Sequence, residues 1–289
     1  MSLHLDAPAR SFALPRQWRY KLTNLRTGLS NWNDRRSNRS AASFFAAMAR
    51  GGADYDAHID ALPEHRLIYV CVPKSASTSI KIALSALQGE TVAANLAHKR
   101  RYSSLRSPSQ VGVSGFYRLA MDPATLCFTF VRNPYARLVS TWADKFRDKP
   151  LVPGDRFIDR YLRHRSVADR AQPIGLDRTL SFARFVMFAI ETLDDRPDPH
   201  WQLQSKLTGV AGLPLDLVGK VENFAQDFRL VLNHAGGTAA QRLLTLPVSN
   251  VSQHGPWRGF YTAELAERVH RAYSDDFFRF GYATRLEKA

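Results

Sequence analysis

Leu67-Ile68-Tyr69-Val70-Cys71-Val72-Pro73-Lys74-Ser75-Ala76-Ser77-Thr78-Ser79-Ile80 is the stretch from which the rest of the 289-residue chain can be read. Leu67 to Val72 is an unbroken apolar run, rich in β-branched and aromatic residues, and predicts a buried strand. Pro73 cannot donate to a ladder and ends it. A short loop of one lysine and small hydroxyl residues follows. Ile80, Ile82, Ala83, Leu84 and Leu87 then predict the apolar face of a helix, with Gly89 as its stop. A strand, a small polar loop and a helix N-terminus make a phosphate-binding geometry: the first-turn amides point outward and the dipole favours an anion.

A nucleoside-triphosphatase loop reads G-x-x-x-x-G-K-[ST]. Here the loop has no glycine, and Lys74 precedes the hydroxyl residues. Pro73-Lys74 followed by Ser77-Thr78-Ser79 instead resembles the 5′-phosphosulfate loop of the carbohydrate sulfotransferases, enzymes that use 3′-phosphoadenosine 5′-phosphosulfate (PAPS). A second stretch, Phe130-Val131-Arg132-Asn133-Pro134-Tyr135-Ala136-Arg137-Leu138-Val139-Ser140, resembles the 3′-phosphate motif of the same family. Arg132 lies 58 residues after Lys74. Arg132 and Ser140 are a little over two helical turns apart, so both can lie on one face. A phosphate dianion calls for a guanidinium fork and a hydroxyl. Arg137 fits a nucleotide contact or an ordinary helix arginine.

Working outward, Leu126 to Val131 is a second buried strand, and Asn133-Pro134 predicts an N-cap and first position for the helix after it. Two strands, each followed by a helix, argue for parallel crossovers. With the resemblance, the expected fold is α/β: a P-loop-like, three-layer arrangement with a central parallel sheet flanked by helices. Ligands then belong at the carboxyl ends of the strands, where both motifs fall. Further helices are expected over 179–191, 222–233 and 262–280, and a short strand over 215–221. Asp155 to Arg178 is charged and expected to be helical in part.

Two more stretches resemble the chondroitin 4-O- and HNK-1 branch of the family. One is Asp198-Pro199-His200-Trp201 with Asp216 to Phe224 after it. The other is Tyr273-Ser274-Asp275-Asp276-Phe277-Phe278-Arg279-Phe280-Gly281-Tyr282, read as a helix end packing its aromatics. The resemblance runs over residues 66 to 282. It divides the chain into a basic N-terminal extension, 1–60, and a sulfotransferase domain, 61–289. From Arg10 to Arg50 the extension carries basic residues (Arg16, Arg19, Lys21, Arg26, Arg35, Arg36, Arg39) against one acid, Asp34, with Trp18, Tyr20 and Trp32 interleaved. That composition suits either a segment laid over the domain or contact with an anionic surface. Ser40 to Arg50 predicts a short helix with Ser40 as N-cap and Gly51-Gly52 as stop.

The net charge of +14 predicts anionic partners without naming one. No run of 18 apolar residues is present and Met1 to Arg26 holds no secretory core, so the expected location is cytoplasmic. Cys71 and Cys127 lie inside apolar strands and read as buried thiols.

The resemblance implies an in-line transfer of sulfuryl from PAPS, leaving PAP, to a hydroxyl of a neutral or anionic carbohydrate or glycoconjugate. It places Lys74 at the leaving oxygen, with Pro73, Ser75, Ala76, Ser77, Thr78 and Ser79 around the 5′-phosphate. Arg132 and Ser140 go to the 3′-phosphate, Arg137 is a further candidate for the cofactor, and Arg258 goes to a late basic loop that closes over the nucleotide. The acceptor hydroxyl needs a general base. His200 is the first candidate and His98 the second, followed by His254 and Glu222. No acidic or His/Cys cluster suggests a metal, and none is expected. A nucleic-acid partner is not expected; peripheral membrane association through the basic N-terminal segment is. Two other classes stay open here: a P-loop-type kinase or nucleoside triphosphatase, which lacks a recognisable Walker-B carboxylate, and a non-catalytic polyanion-binding protein.

Overall fold

The computed structural model describes residues 28, 30–31, 34–50, 54–164, 179–195, 197–209, 212–236 and 256–288. The expectations for Arg10 to Arg26, for Trp32, for Gly51-Gly52, for residues 165–178 and for His254 fall outside the described residues.

Four strands form one sheet in the order β1 (Ile59–Leu62), β2 (Leu67–Val70), β3 (Leu126–Val131) and β4 (Leu217–Lys220). The β2–β3 and β3–β4 pairs are parallel, as the crossovers require. The β1–β2 pair is antiparallel, so the sheet is mixed and the expectation of a purely parallel sheet is corrected. The reason is chain length. Only a single 3-10 turn, Pro63–His65, and a left-handed Arg66 (φ 50°) join β1 to β2. A parallel connection needs a dozen residues or more. β1 escaped the sequence reading because a carboxylate, Asp60, breaks its apolar run. Asp60 is 1% exposed and is paired with Lys81 and Arg100, each at 2.7 Å.

Helices cover both faces. On one, α1 (Arg39–Arg50) and α3 (Val113–Met121) bring Ala41, Phe45, Met48, Val113 and Phe116 against Ile59, Ile68 and Val70. On the other, α2 (Ser77–Leu87) and α8 (Phe224–Ala235) pack Ile80, Leu84, Phe228 and Val231 on Leu67, Tyr69, Phe128 and Phe130. The N-cap of α1 is Asn38 rather than Ser40, because the Asn38 Oδ1 accepts from Ala41 N–H at 3.0 Å.

A third core joins α4 (Pro134–Lys145), α5 (Arg156–His164), α6 (Phe182–Glu191), α9 (Ala263–Ala272) and α10 (Ser274–Arg279) through Trp142, Phe146, Phe185, Trp201, Tyr273 and Phe277. Its rings meet mostly tilted or edge-on, and such pairs contribute about 0.5–1.5 kcal/mol beyond their burial. The helix expected over 262–280 is two helices, α9 and α10, which meet at Tyr273. Between the cores runs α7 (Gln204–Gly209). No helix among the described residues is long and apolar enough to cross a membrane.

Candidate active site

β2 ends at Val70, and Cys71 and Val72 carry the chain out of the sheet into the loop. Lys74 (φ 69°) and Ala76 (φ 58°) are both left-handed, and neither is a glycine. Such residues cost on the order of 1–3 kcal/mol each and persist only where their surroundings enforce them. Here the surroundings do. Ser75, fully buried between them, donates its Oγ–H to Gln204 Oε1 at 3.3 Å. Arg132 Nη1 donates to Lys74 O at 3.4 Å, and Arg137 Nε to Pro73 O at 3.0 Å.

The loop delivers α2 with its first turn open. Ala76 occupies the N-cap and makes no side-chain cap, and no acid lies in that turn. By contrast, α4, α6 and α9 are capped by Asn133, Ser181 and Thr262. An uncapped N-terminus leaves outward N–H groups and a partial positive charge. Lys74 Nζ adds to it and is held by Asp144 at 2.9 Å. Burial lowers the Lys74 pKa from its ordinary value, and Asp144 opposes this. The same contact, with Lys145, pulls Asp144 down to about 2 against its own burial.

β3 delivers the second motif. Asn133 Oδ1 accepts from Tyr135 N at 3.0 Å, and Pro134 starts α4, as the sequence predicts. Glu222 accepts from Asn133 N–H at 2.9 Å and so lies at the N-terminal end of α4, which suits a dipole partner better than a base. Ser140 is buried on α4. Arg137, open in the sequence between a nucleotide contact and an ordinary helix arginine, is taken up by backbone carbonyls. It is 1% exposed, and its guanidinium donates to the carbonyls of Pro73, Gln202 (2.7 Å) and Pro199 (2.8 Å). It therefore pins the loop to the 199–202 turn from beneath. The reason is its position on the buried side of α4, where only backbone carbonyls can satisfy it.

The 199–202 turn presents His200. Asp198 Oδ1 lies 2.6 Å from His200 Nδ1 and also accepts the His200 backbone N–H at 3.0 Å. A carboxylate can only accept, so Nδ1 carries the proton and the basic lone pair is on Nε2. Burial lowers the His200 pKa, Asp198 counters it, and Lys145 and Lys74 lower it further. The ring is therefore neutral near pH 7 and within electrostatic reach of Lys74. His98 lies across the loop, with Nε2 3.0 Å from Thr78 Oγ1. Its ring is crowded by protein atoms although one edge meets solvent, and that crowding, with Lys81 nearby, pushes it down to about 4. His98 and His200 thus lie on the same site, but the Nε2 of His98 already faces a loop hydroxyl.

Arg258 is held near the C-terminus. Its Nε donates to Leu286 O at 3.3 Å, and its guanidinium lies over Trp257, which stacks on Tyr135. It borders the first turn of α4. No group of three or more His, Cys, Asp or Glu among the described residues is placed to hold a metal ion.

Sequence reasoning missed two residues that organise this site, Gln204 and Asp276. Gln204 is fully buried and bonded to both motifs, and Asp276 accepts the backbone N–H groups of Gln204 and Ser205, each at 2.8 Å. No signal in the sequence marks Gln204, which stands in the polar run Gln202-Leu203-Gln204-Ser205-Lys206.

A model of the sulfotransferase family matches residues 57–283, which takes in both motifs and the His200 turn. Carbohydrate sulfotransferase 11 of Rattus norvegicus and that of Mus musculus are each 27% identical over 241 residues, covering 78% of this chain and 67% of theirs. Carbohydrate sulfotransferase 8 of Homo sapiens is 30% identical over 191 residues, 63% of this chain and 43% of its own. No solved structure matches the chain. The match spans every strand-end group described above, and the chain belongs to the sulfotransferase family.

Proposed function

We propose that this enzyme transfers a sulfuryl group from PAPS to a hydroxyl of a carbohydrate, on a P-loop-like fold. The observation that carries the reading is the meeting of the two motifs: Arg132 and Lys74, 58 residues apart, are joined at the ends of adjacent parallel strands. The residues fit a ligand phosphorylated at two places. The uncapped turn of α2 and Lys74 would hold the 5′ end, and Arg132 with Ser140 the 3′ end. PAPS, when bound, supplies an activated sulfuryl group on a phosphate leaving group.

The chain's own residues do the rest. Lys74 Nζ leaves Asp144 and neutralises charge at the leaving oxygen. Thr78 and the first amides of α2 orient the 5′ end. His200 Nε2 takes the proton of the acceptor hydroxyl, with Asp198 steadying the cation that forms. The names of the relatives support a carbohydrate acceptor. An acidic sugar would meet Lys145, Lys149 and Arg156, whose cationic groups gather around Phe157, the ring that abuts His200. A cytoplasmic location and peripheral membrane contact through the basic N-terminal segment belong to the same proposal and rest on sequence alone.

The test is transfer of labelled sulfate from PAPS to a panel of neutral and acidic glycans and glycolipids. Wild type is expected to label at least one acceptor, and Lys74→Ala to label it about a hundredfold more slowly or worse. A wild-type protein that gains no thermal stability from PAP would overturn the donor assignment.

A further inference from the structure

Gln204 belongs to neither phosphate motif, yet both are bonded to it. Its Oε1 accepts from Arg132 N–H at 2.9 Å and from Ser75 Oγ–H at 3.3 Å. Its Nε2 donates to Arg132 O at 2.8 Å and to Asp276 Oδ2 at 3.4 Å. A side-chain amide offers two donors and one oxygen with two lone pairs, so all its capacity is used. Its orientation is dictated as well. Arg132 presents both a donor and an acceptor, and turning the amide over would break both bonds. Asp276, itself buried, fixes the backbone of Gln204 and Ser205 from the opposite side. Ser75 sits between the two left-handed residues of the loop, and Arg132 directly follows β3. The amide therefore bonds at once to the loop that precedes α2 and to the backbone that aims Arg132.

We propose that Gln204 is a positioning residue that locks the Ser75 loop and the Arg132 backbone into one rigid unit, so that the two phosphate subsites of the donor act together. The inference rests on the donor reading above and deepens it. Two anions on one ligand gain from each other only when their sites are held at a fixed separation, because the second contact is then made at high effective concentration. If the separation fluctuates, each subsite can still take a single phosphate while the advantage of the pair is lost.

The experiment measures dissociation constants by calorimetry for adenosine 3′,5′-bisphosphate, adenosine 5′-phosphate and adenosine 3′-phosphate. The proteins are wild type, Gln204→Leu and Ser75→Ala. Gln204→Leu removes every bond made by the amide and leaves the Arg132–Lys74 and Arg137–Pro73 contacts in place. Ser75→Ala removes only its loop arm and decides the question if the first variant does not fold. The expected result is a loss of roughly tenfold or more for the bisphosphate, against threefold or less for each monophosphate, with KM for PAPS rising in step. A merely structural amide would weaken all three ligands by one factor or none of them, and either outcome overturns the inference while leaving the donor reading intact. If wild type fails to bind the bisphosphate at all, the donor reading falls and this inference with it.

Discussion

Asp198 gives His200 two properties at once: it fixes the tautomer through the 2.6 Å contact at Nδ1, and it offsets part of the burial that would otherwise weaken the ring as a base. The remaining shift is downward, so the ring loses its proton below the ordinary histidine value of 6.5. A base must be neutral to act. The rate should therefore be on its plateau at pH 7 and fall as pH drops through the lowered pKa of His200. Asp198→Ala removes the group that raises that pKa, so the acid limb of kcat/KM should move to lower pH while the plateau drops. His200→Ala should remove the limb and about 10²–10⁴ of the rate. A pH–rate profile of the three proteins checks this. If His200→Ala keeps the wild-type acid limb, the base is another group.

Across elements, the site depends on how closely β4 approaches β3. Phe130 and Gly219 are paired in register, and the ring of Phe130 lies over the place where a side chain would begin. A Cβ on Gly219 would stand 2.5 Å from Phe130 Cε1. Gly219→Ala should therefore cost about 1–3 kcal/mol of stability, read by thermal or denaturant unfolding. It should also weaken PAP binding, because Phe130 stands two residues before Arg132 on the same strand exit. At this scale the sequence is most informative where local chemistry decides the outcome. Leu67–Val70, Leu126–Val131 and the Asn133-Pro134 start of α4 need only an apolar run or a cap. The same holds for Lys74 and Arg132, which follow such runs, whereas His200 stands out only through the resemblance of Asp198 to Trp201. Asp60 of β1 needs a partner 21 residues away (81 − 60), and Gln204 and Asp276 need partners 72 residues away. Each is a polar group whose burial only the folded chain makes tolerable, so pattern alone reads it as surface.

For the whole molecule, Asp60 ties together segments that would otherwise meet only through apolar packing. It pairs with Lys81 on α2 and with Arg100, whose guanidinium also holds the carbonyls of Asp56 and Ile59. Burial works against the Asp60 charge, but the two cations win and its pKa lies below the ordinary 3.8. Its contribution to stability is thus complete above 3.8 and is lost as pH falls through the lower folded value. Lys81 is raised above 10.5, so its share is complete below that value and is lost as pH rises beyond it. Asp60→Asn leaves a buried cation uncompensated and should cost about 3–5 kcal/mol at neutral pH. Its unfolding free energy should also lose part of the acid dependence seen in wild type. An unchanged acid limb would assign that dependence to other carboxylates.

The loop before α2 contains no glycine, although two of its residues are left-handed. A glycine at either place would adopt that conformation freely, but it would also wander from it between one substrate and the next. Lys74 and Ala76 are held there by the rest of the protein. The difficult conformation is therefore reached once, when the chain folds, and is inherited by every catalytic cycle that follows. Such a loop trades resilience in the folding reaction for constancy in use. Replacing its strained residues with glycine would shift the burden from the birth of the molecule to each encounter with its donor.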